Sequence, residues 1–484
     1  MTGIDDRVLD ERREENRRAD KPGQHRREEN WRADEPGEHR PATAPGLTWQ
    51  DLLDTDTHEV PAFLRDQRPY RNGDADISKD RYLSRTWHEF EKEHLWNRVW
   101  QLACREEQLP AVGDYLVYDI ADQSYVIVRT ALDELEAYPN ACLHRGRRLK
   151  TYDGRCSEIR CPFHGFAWHL DGTLKSIPAE WDFPHLDDRR DELTLPAVRV
   201  EAWAGFVFLN PDPDAEPLHE FLGDLPAHFE RWRLEDRFLQ AHVAKIVRCN
   251  WKVAMEAFAE GYHVSATHPQ GTVYVMDPGS QIDIYGSFAR QISPSGVPSP
   301  LITWEASQED ILRGMLDVRE GEPLPVELRP GQTAREAMAL AARARWRPVL
   351  GDRIEEFCDA ELVDHFNYTV FPNIHPWGGF NRIVYRFRPN GDDHETSIFE
   401  VMFITPFAGD RPAPAPLRSL GPEDRWTDAP ELDSLGMVLD QDTFNMEQVQ
   451  KGLKILRRDG VTVSRYQEAI VRWRQDLLDE WVGR

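Results

Sequence analysis

The sequence predicts an α+β protein, with a small antiparallel β unit set between a helical N-terminal segment and a larger domain of long strands and helices. Three observations carry this reading. Short alternating segments, GDYLVYDI, SYVIVRT and LEAYPNA, follow one another from residue 113, with Gly and Asp at the turns. Longer strand-like runs, DHFNYTVFPNIHP, NRIVYRFRP and SIFEVMFITPF, lie between 364 and 407. Stretches with apolar residues three or four apart flank both groups. Strands and helices that segregate along a chain, instead of alternating, make an α+β architecture.

Composition sets the bounds. At 484 residues the chain is long enough for two or three domains, and 40% hydrophobic with 30% charged residues describes an ordinary globular protein. A formal charge of −26 argues against nucleic acid as a partner, because phosphate binding needs a basic footprint. No apolar run approaches a membrane span, and the N-terminus, MTGIDDRVLDERREEN, lacks the apolar core of a secretory signal. Cys104, Cys156, Cys249 and Cys358 show no disulfide-framework spacing, which suits a reducing cytoplasm.

The elements follow in order. Residues 12–39 hold a tandem duplication, RREENRRADKPGQH then RREENWRADEPGEH, too charged to bury a core, so residues 1–45 are expected to be disordered. Residues 46–98 are expected to be helical, on the pattern of DRYLSRTWHEFEKEHLWNRVW. The β unit is placed at 99–210. It includes a hairpin in AWHLDGTL with an Asp-Gly turn, and AGFVFLNPDPDAEP closes it. The larger domain is placed at 211–484. In it, 250–268 reads as helix, 275–360 as mixed helices and loops, and two further helices are expected near 433–457 and 462–481.

Two loops of the β unit carry the chemistry. Cys142-Leu-His144 is followed, after sixteen residues, by Cys161-Pro-Phe-His164. One thiolate and one imidazole from each loop is the donor set of a mixed-ligand [2Fe–2S] centre, two Cys on one iron and two His on the other. Zinc sites commonly group Cys with Cys and His with His, so the alternation argues against zinc.

A second centre is legible in NWKVAMEAFAEGYHVSATHPQ. Glu256, Glu260, His263 and Thr267 would share one helical face, and Trp251, Met255, Phe258 and Tyr262 another. Pro269 disfavours helix at His268, so the chain can unwind there and turn that imidazole inward. Two His and one carboxylate on one face of an iron leave positions open for O₂. The alternative is a solvated polar face with an incidental histidine pair. The carboxylate is found by periodicity. Asp442 falls on the apolar stripe of Leu435, Val438, Leu439, Met446, Val449 and Leu453, and Asp440 does not. A carboxylate on a buried face is costly unless paired or metal-bound. Here the alternative is a structural ion pair or a helix end.

CLHRGRRL, CPFHGFAWHLDG, NWK…EGYHVSATH and LDQDTFNMEQVQKGL together resemble the α subunit, or terminal oxygenase, of the Rieske non-haem iron oxygenases, the aromatic-ring-hydroxylating dioxygenase family, over residues 47–484. The resemblance implies a Rieske domain joined to a catalytic domain with a curved antiparallel sheet and covering helices, of helix-grip type. It implies a cluster on Cys142, His144, Cys161 and His164, and a mononuclear Fe(II) on His263, His268 and Asp442. Glu260 would occupy the bridging-carboxylate position that joins a cluster histidine of one subunit to an iron histidine of the next. That implies a closed ring, usually a homotrimer, with or without a separate β subunit. Electrons would come from NADH through a flavin reductase, directly or by way of a ferredoxin. The expected reaction is hydroxylation of an aromatic substrate with O₂.

Two positions depart from the family pattern. The bridging residue is more often Asp in ring dioxygenases, and Glu is familiar in relatives acting on quaternary amines, which brings monooxygenation or demethylation of an N- or O-alkyl compound into view. Phe166 stands where Trp is usual, and only a packing change is expected there. Respiratory Rieske electron carriers brace their loops with a disulfide, but Arg147 and Phe163 occupy those positions here. The basic run Arg145, Arg147, Arg148 and Lys150 is a candidate ferredoxin dock.

Overall fold

The computed structural model describes residues 40–483 except 42, 71, 72 and 74, so the charged duplication lies outside the described residues. The expected N-terminal helical segment is a chain of short helices, Trp49–Leu53, Ala62–Arg65, Asp80–Leu83 and Arg85–Phe90, the last running into a wider π-type turn at Glu91–Trp96. Ser84 breaks the continuous pattern. Its backbone is extended, and its side chain caps the next helix by accepting from the Trp87 amide. Trp49, Leu64, Leu95 and Trp96 are buried in the core shared with the large sheet. Trp49 is pinned by donating its indole N–H to Asp364 at 2.8 Å.

The β unit contains three small antiparallel sheets. Strands β1 (Gln101–Arg105), β2 (Asp114–Ile120), β3 (Gln123–Ala131) and β4 (Glu134–Pro139) are followed by the two-residue strands β5 (Gly154–Arg155), β6 (Ile159–Arg160) and β7 (Ala167–Trp168), then β8 (Leu174–Ser176), β9 (Arg199–Trp203) and β10 (Phe206–Asn210). Their orders are β4-β3-β2-β5, β6-β7-β8 and β9-β10-β1. The Asp171-Gly172 turn forms as expected, with Gly172 at φ +79 where a side chain would also collide with Tyr138. Tyr138, Trp168, Phe166, Ile159 and Leu195 make a separate small core that encloses Cys142 and Cys161.

The larger part is built on one eight-stranded sheet. Its strands are β11 (Arg237–Val247), β12 (Gln281–Tyr285), β13 (Phe288–Ser293), β14 (His365–Val370), β15 (Ile374–Pro376), β16 (Ile383–Asn390), β17 (Asp393–Pro406) and β18 (Arg418–Leu420). The order is β12-β13-β14-β15-β16-β17-β11-β18, antiparallel except for the parallel pair β11–β18. Two features depart from the expectation. Strand β11 falls in a stretch with no clear sequence pattern, and the region expected as helix and loop contains the hairpin β12–β13. Both hairpin strands are wholly buried, so period-two alternation is missing. Asp283 and Arg290 interrupt their apolar runs and neutralise each other across the ladder at 2.6 Å.

The covering helices are α1 (Trp251–Glu256), α2 (Val264–Thr267), α3 (Gln308–Leu316), α4 (Ala334–Leu350), α5 (Leu435–Ile455) and α6 (Ala469–Val482). The expected 250–268 helix is therefore interrupted between α1 and α2. Glu256 turns into a buried network, accepting from Tyr82 at 2.7 Å and Arg474 at 2.8 Å. It does not share a face with Glu260 and His263. At the break, Gly261 packs closely against the Gln291 side chain, and a Cβ there would lie 2.7 Å from its amide nitrogen and displace it. Helix α5 is joined to the sheet through aromatic rings. Phe387 stacks on Phe399 at 4.5 Å, Phe399 meets Trp426 at 5.0 Å, and Trp426 donates to Thr443 at 2.8 Å. That chain of contacts sets the depth of the neighbouring Asp442. Among the described residues no helix is long and apolar enough to cross a membrane.

Candidate metal centres

The two Cys–His loops are built alike although their spacings differ. The Cys142 amide donates to the Arg147 carbonyl and the Cys161 amide to the Phe166 carbonyl, both at 2.8 Å. Each cysteine carbonyl in turn accepts from a glycine four residues on, Gly146 at 2.8 Å and Gly165 at 3.0 Å. Those glycines sit at φ +74 and +83, which lets each loop reverse within a few residues. His144 and His164 lie side by side, with ring centroids 4.8 Å apart. Burial pushes the Cys142 thiol above its ordinary pKa, and the neighbouring Cys161 thiol acts in the same direction, while the amides of His144 and Arg145 pull it down. Two adjacent thiols and two adjacent imidazoles match the donor set of a mixed-ligand cluster. His144 Nδ1 is buried with no hydrogen-bond partner among the described residues, as a nitrogen reserved for a metal would be. Phe166, at the position of the expected Trp-to-Phe departure, stacks flat on His144 with ring centroids 4.6 Å apart.

The second constellation joins the α1–α2 break to helix α5. His263, His268 and Asp442 bring one donor atom each to within 4.8 Å of one another. His268 Nε2 is 2.7 Å and His263 Nε2 3.6 Å from the same Asp442 oxygen. The outer nitrogens are both held. His263 Nδ1 donates to Glu260 at 2.7 Å, and the other Glu260 oxygen accepts the His263 amide at 2.9 Å. His268 Nδ1 is 2.8 Å from the side-chain oxygen of Gln441, which also accepts from Gln270 at 2.9 Å. With Nδ1 held by its outer partner, each imidazole presents Nε2 on the Asp442 side, the nitrogen that would bind a metal shared with that carboxylate. Burial works against the His263 cation, but Glu260, Asp442 and Asp277 outweigh it and raise the pKa. Two imidazoles and one carboxylate converging on one point fit a divalent iron. His268 has left the helical region, at φ −122 and ψ 59, as Pro269 requires. Asp442 is buried and Asp440 is not: it accepts instead from the Trp426 amide at 2.8 Å.

The three donors line a cavity of about 1220 Å³ between the sheet, α5 and the α3 segment. Phe258, Trp377 and Tyr385 form an aromatic corner of it, with Phe258 and Tyr385 centroids 4.7 Å apart and Trp377 and Tyr385 6.1 Å apart.

The family model described as "Ring hydroxylating alpha subunit (catalytic domain)" matches residues 223–484, more than half of the chain. The chain belongs to the ring-hydroxylating α-subunit family. A Rieske [2Fe-2S] domain model matches residues 99–187, which contain all four cluster-ligand candidates. The large subunit of an anthranilate 1,2-dioxygenase from Acinetobacter baylyi is 32% identical over 210 residues, 42% of this chain and 44% of that protein. The oxygenase subunit of a carnitine monooxygenase from Escherichia coli is 32% identical over 191 residues, 39% of this chain and 50% of that one. The chain thus spans about half the length of these relatives. A solved quaternary ammonium Rieske monooxygenase matches with a TM-score of 0.60 at 20% identity, over 84% of this chain and 95% of that one. A naphthalene 1,2-dioxygenase matches with 0.57 at 19%, over 82% and 90%. At such identities the structural likeness concerns the fold of this ring-hydroxylating α subunit.

The structure brings together every residue expected at the iron position. Of the four residues expected on one helical face, Glu260 and His263 are at the site. Glu256 is not, and Thr267 accepts from Asn445 at 3.2 Å. Sequence reasoning missed Gln441, whose only signal is its place beside Asp442. It also missed the cavity wall, to which His365 and Asn367 contribute a polar i, i+2 pair from strand β14. In the basic run, Arg148 pairs with Asp119 at 3.3 Å, and Lys150 covers the Tyr115 ring at 4.5 Å.

Proposed function

We propose that this chain is the terminal oxygenase component of a multicomponent Rieske oxygenase and that it hydroxylates an aromatic substrate. The observation that carries the proposal is the convergence of His263, His268 and Asp442 on the wall of a large, partly aromatic cavity. In this reading residues 99–210 form the cluster domain, with Cys142, His144, Cys161 and His164 as ligands. Residues 211–484 form the catalytic domain, and 46–98 pack on it. When bound, the cluster and the ferrous ion supply electrons and an open coordination face for the reduction of O₂. The protein's own contribution is positional. Glu260 and Gln441 fix the tautomer and tilt of the two imidazoles. Asp442 is held at depth by its helix. Phe258, Trp377 and Tyr385 supply flat apolar surface against which a ring can be oriented. Glu260 also stands at the position where the family passes electrons between subunits, so a ring of three chains belongs to the proposal. A flavin reductase oxidising NADH, directly or through a ferredoxin, is the proposed electron source.

A second reading, monooxygenation or dealkylation, is favoured by Glu260 itself and by the match to a carnitine monooxygenase subunit. One experiment separates the two. Pre-reduced enzyme is given labelled O₂ and a panel of aromatic hydrocarbons, aromatic acids and N- or O-alkyl compounds, and products are read by mass spectrometry. Two labelled oxygens in a ring diol establish dioxygenation. One labelled oxygen or loss of an alkyl group establishes the second reading. Failure to consume O₂ with every substrate, in enzyme loaded with cluster and iron, overturns both.

A further inference from the structure

The cavity face of the large sheet carries a cross-strand row of polar side chains that the metal centre does not use. Gln291 on β13 pairs with Asn367 on β14, and Asn367 bridges to Trp377, so the three lie side by side on one face. All three line the cavity. Gln291 Oε1, Asn367 Oδ1 and Trp377 Nε1 are buried, and none has a hydrogen-bond partner among the described residues. Three orphaned polar atoms in one row are costly unless something bound there satisfies them.

Their orientations are set locally. Asn367 donates its amide nitrogen to the Phe258 carbonyl at 2.6 Å, which leaves its oxygen as the unpaired end. The Gln291 amide nitrogen donates to Ser293 at 3.3 Å and packs against Gly261, between Glu260 and His263. The row therefore offers two carbonyl acceptors and one indole donor beside the metal-ligand segment. Charge narrows the choice further. Arg313 and Arg319 are the cavity-lining cations, and both come from the α3 segment, not the sheet. Arg313 is already paired with Glu309 at 2.7 Å. Glu309, Asp310, Asp317 and Glu320 line the same segment, so a substrate carboxylate would meet acidic walls. A quaternary ammonium has no N–H with which to satisfy the two acceptors.

We propose that Gln291, Asn367 and Trp377 read the substrate, and that it is an uncharged aromatic molecule carrying an O–H or N–H donor. This rests on the terminal-oxygenase reading above, and binding can be tested apart from turnover.

The probes are 2-naphthol, 2-methylnaphthalene, 2-naphthoate and N,N,N-trimethyl-2-naphthylammonium, titrated calorimetrically into anaerobic holoenzyme. 2-Naphthol is expected to bind at least about tenfold more tightly than the other three, as a site built around a substrate hydroxyl requires. Asn367→Leu and Gln291→Leu should each remove most of that preference while leaving 2-methylnaphthalene binding within about threefold, which also controls for folding. Tighter binding of the naphthoate or of the ammonium by the wild type, or a naphthol preference that survives both substitutions, overturns the proposal. Labelled-O₂ turnover is read separately. Labelled product without naphthol preference defeats this inference and leaves the oxygenase reading standing. Naphthol preference without labelled product from any substrate does the reverse.

Discussion

His263 and His268 face one Asp442 oxygen, but their outer nitrogens rest on different chemistry. Glu260 gives His263 a charged acceptor, and Gln441 gives His268 a neutral one. A charged acceptor raises ligand basicity and fixes the tautomer, whereas an amide mainly fixes the ring. Gln441→Leu is expected to lower iron affinity by about 10–100-fold while leaving the cluster spectrum unchanged. Iron content after dialysis against graded chelator measures it, and unchanged retention would remove Gln441 from this role. Glu260→Gln removes the charge and leaves a single acceptor oxygen where Glu260 accepts both the ring N–H and the amide of His263. The expectation is retained iron with single turnover slowed by about 10–100-fold, and a wild-type rate would show that the charge is dispensable. Gln441 was illegible in the sequence because an amide beside a carboxylate on a helix carries no pattern of its own. Its function depends on which imidazole lies opposite.

Among the elements, helix α5 and the strands under it show how much a pattern can reveal. Asp442 was legible because a helix repeats every 3.6 residues, and one acid on the buried stripe stands out. The α1–α2 break was not, since an ideal helix fits the same spacings. In the fold, the break coincides with Gly261 packed against Gln291 and with Glu256 turned toward Arg474. Buried strand networks were equally hidden. Glu400 on β17 meets Arg388 at 2.8 Å and His242 at 3.1 Å and is hydrogen-bonded to Arg386, and although burial opposes its ionisation these partners hold its pKa well below the ordinary value. A depressed carboxylate stabilises the fold above its unfolded pKa, about 4.3, and that stabilisation is lost as pH falls toward the folded value. Glu400→Gln should therefore destabilise the protein by about 3–5 kcal/mol at pH 7, because two guanidiniums lose their counter-charge. Denaturant melts should show the gap to wild type closing below about pH 4. A gap independent of pH would mean that the Glu400 carboxyl titrates alike in the folded and unfolded chain, and that its partners do not depress its pKa.

At the scale of the whole molecule, two centres share one chain, and the proposed electron path between them crosses a subunit boundary. Cys142→Ser should remove the cluster and keep the iron site, and Asp442→Ala should do the reverse. Each variant alone is expected to give no product. Subunits mixed by dissociation and reassembly are expected to regain part of the wild-type turnover, since some rings then place an intact cluster beside an intact iron. Mixed assemblies as inactive as their parents would confine electron transfer within single chains.

The sequence alone named the candidate donor atoms and the α+β fold class. Candidate ligands are suggested by residue chemistry at short spacing, and Cys142, His144, Cys161 and His164 sit in two local loops that need little else to form. Tertiary structure decided everything that depends on distant segments meeting. It inserted the β12–β13 hairpin into the sheet, where burial on both faces erases the alternation that would have announced it. It brought Asp442 to the two histidines from a helix more than 170 positions further along the chain. It also aligned Gln291, Asn367 and Trp377 across three separate segments. A row of that kind exists only in the register of a folded sheet, where neighbours across strands are set by backbone pairing and not by order along the chain.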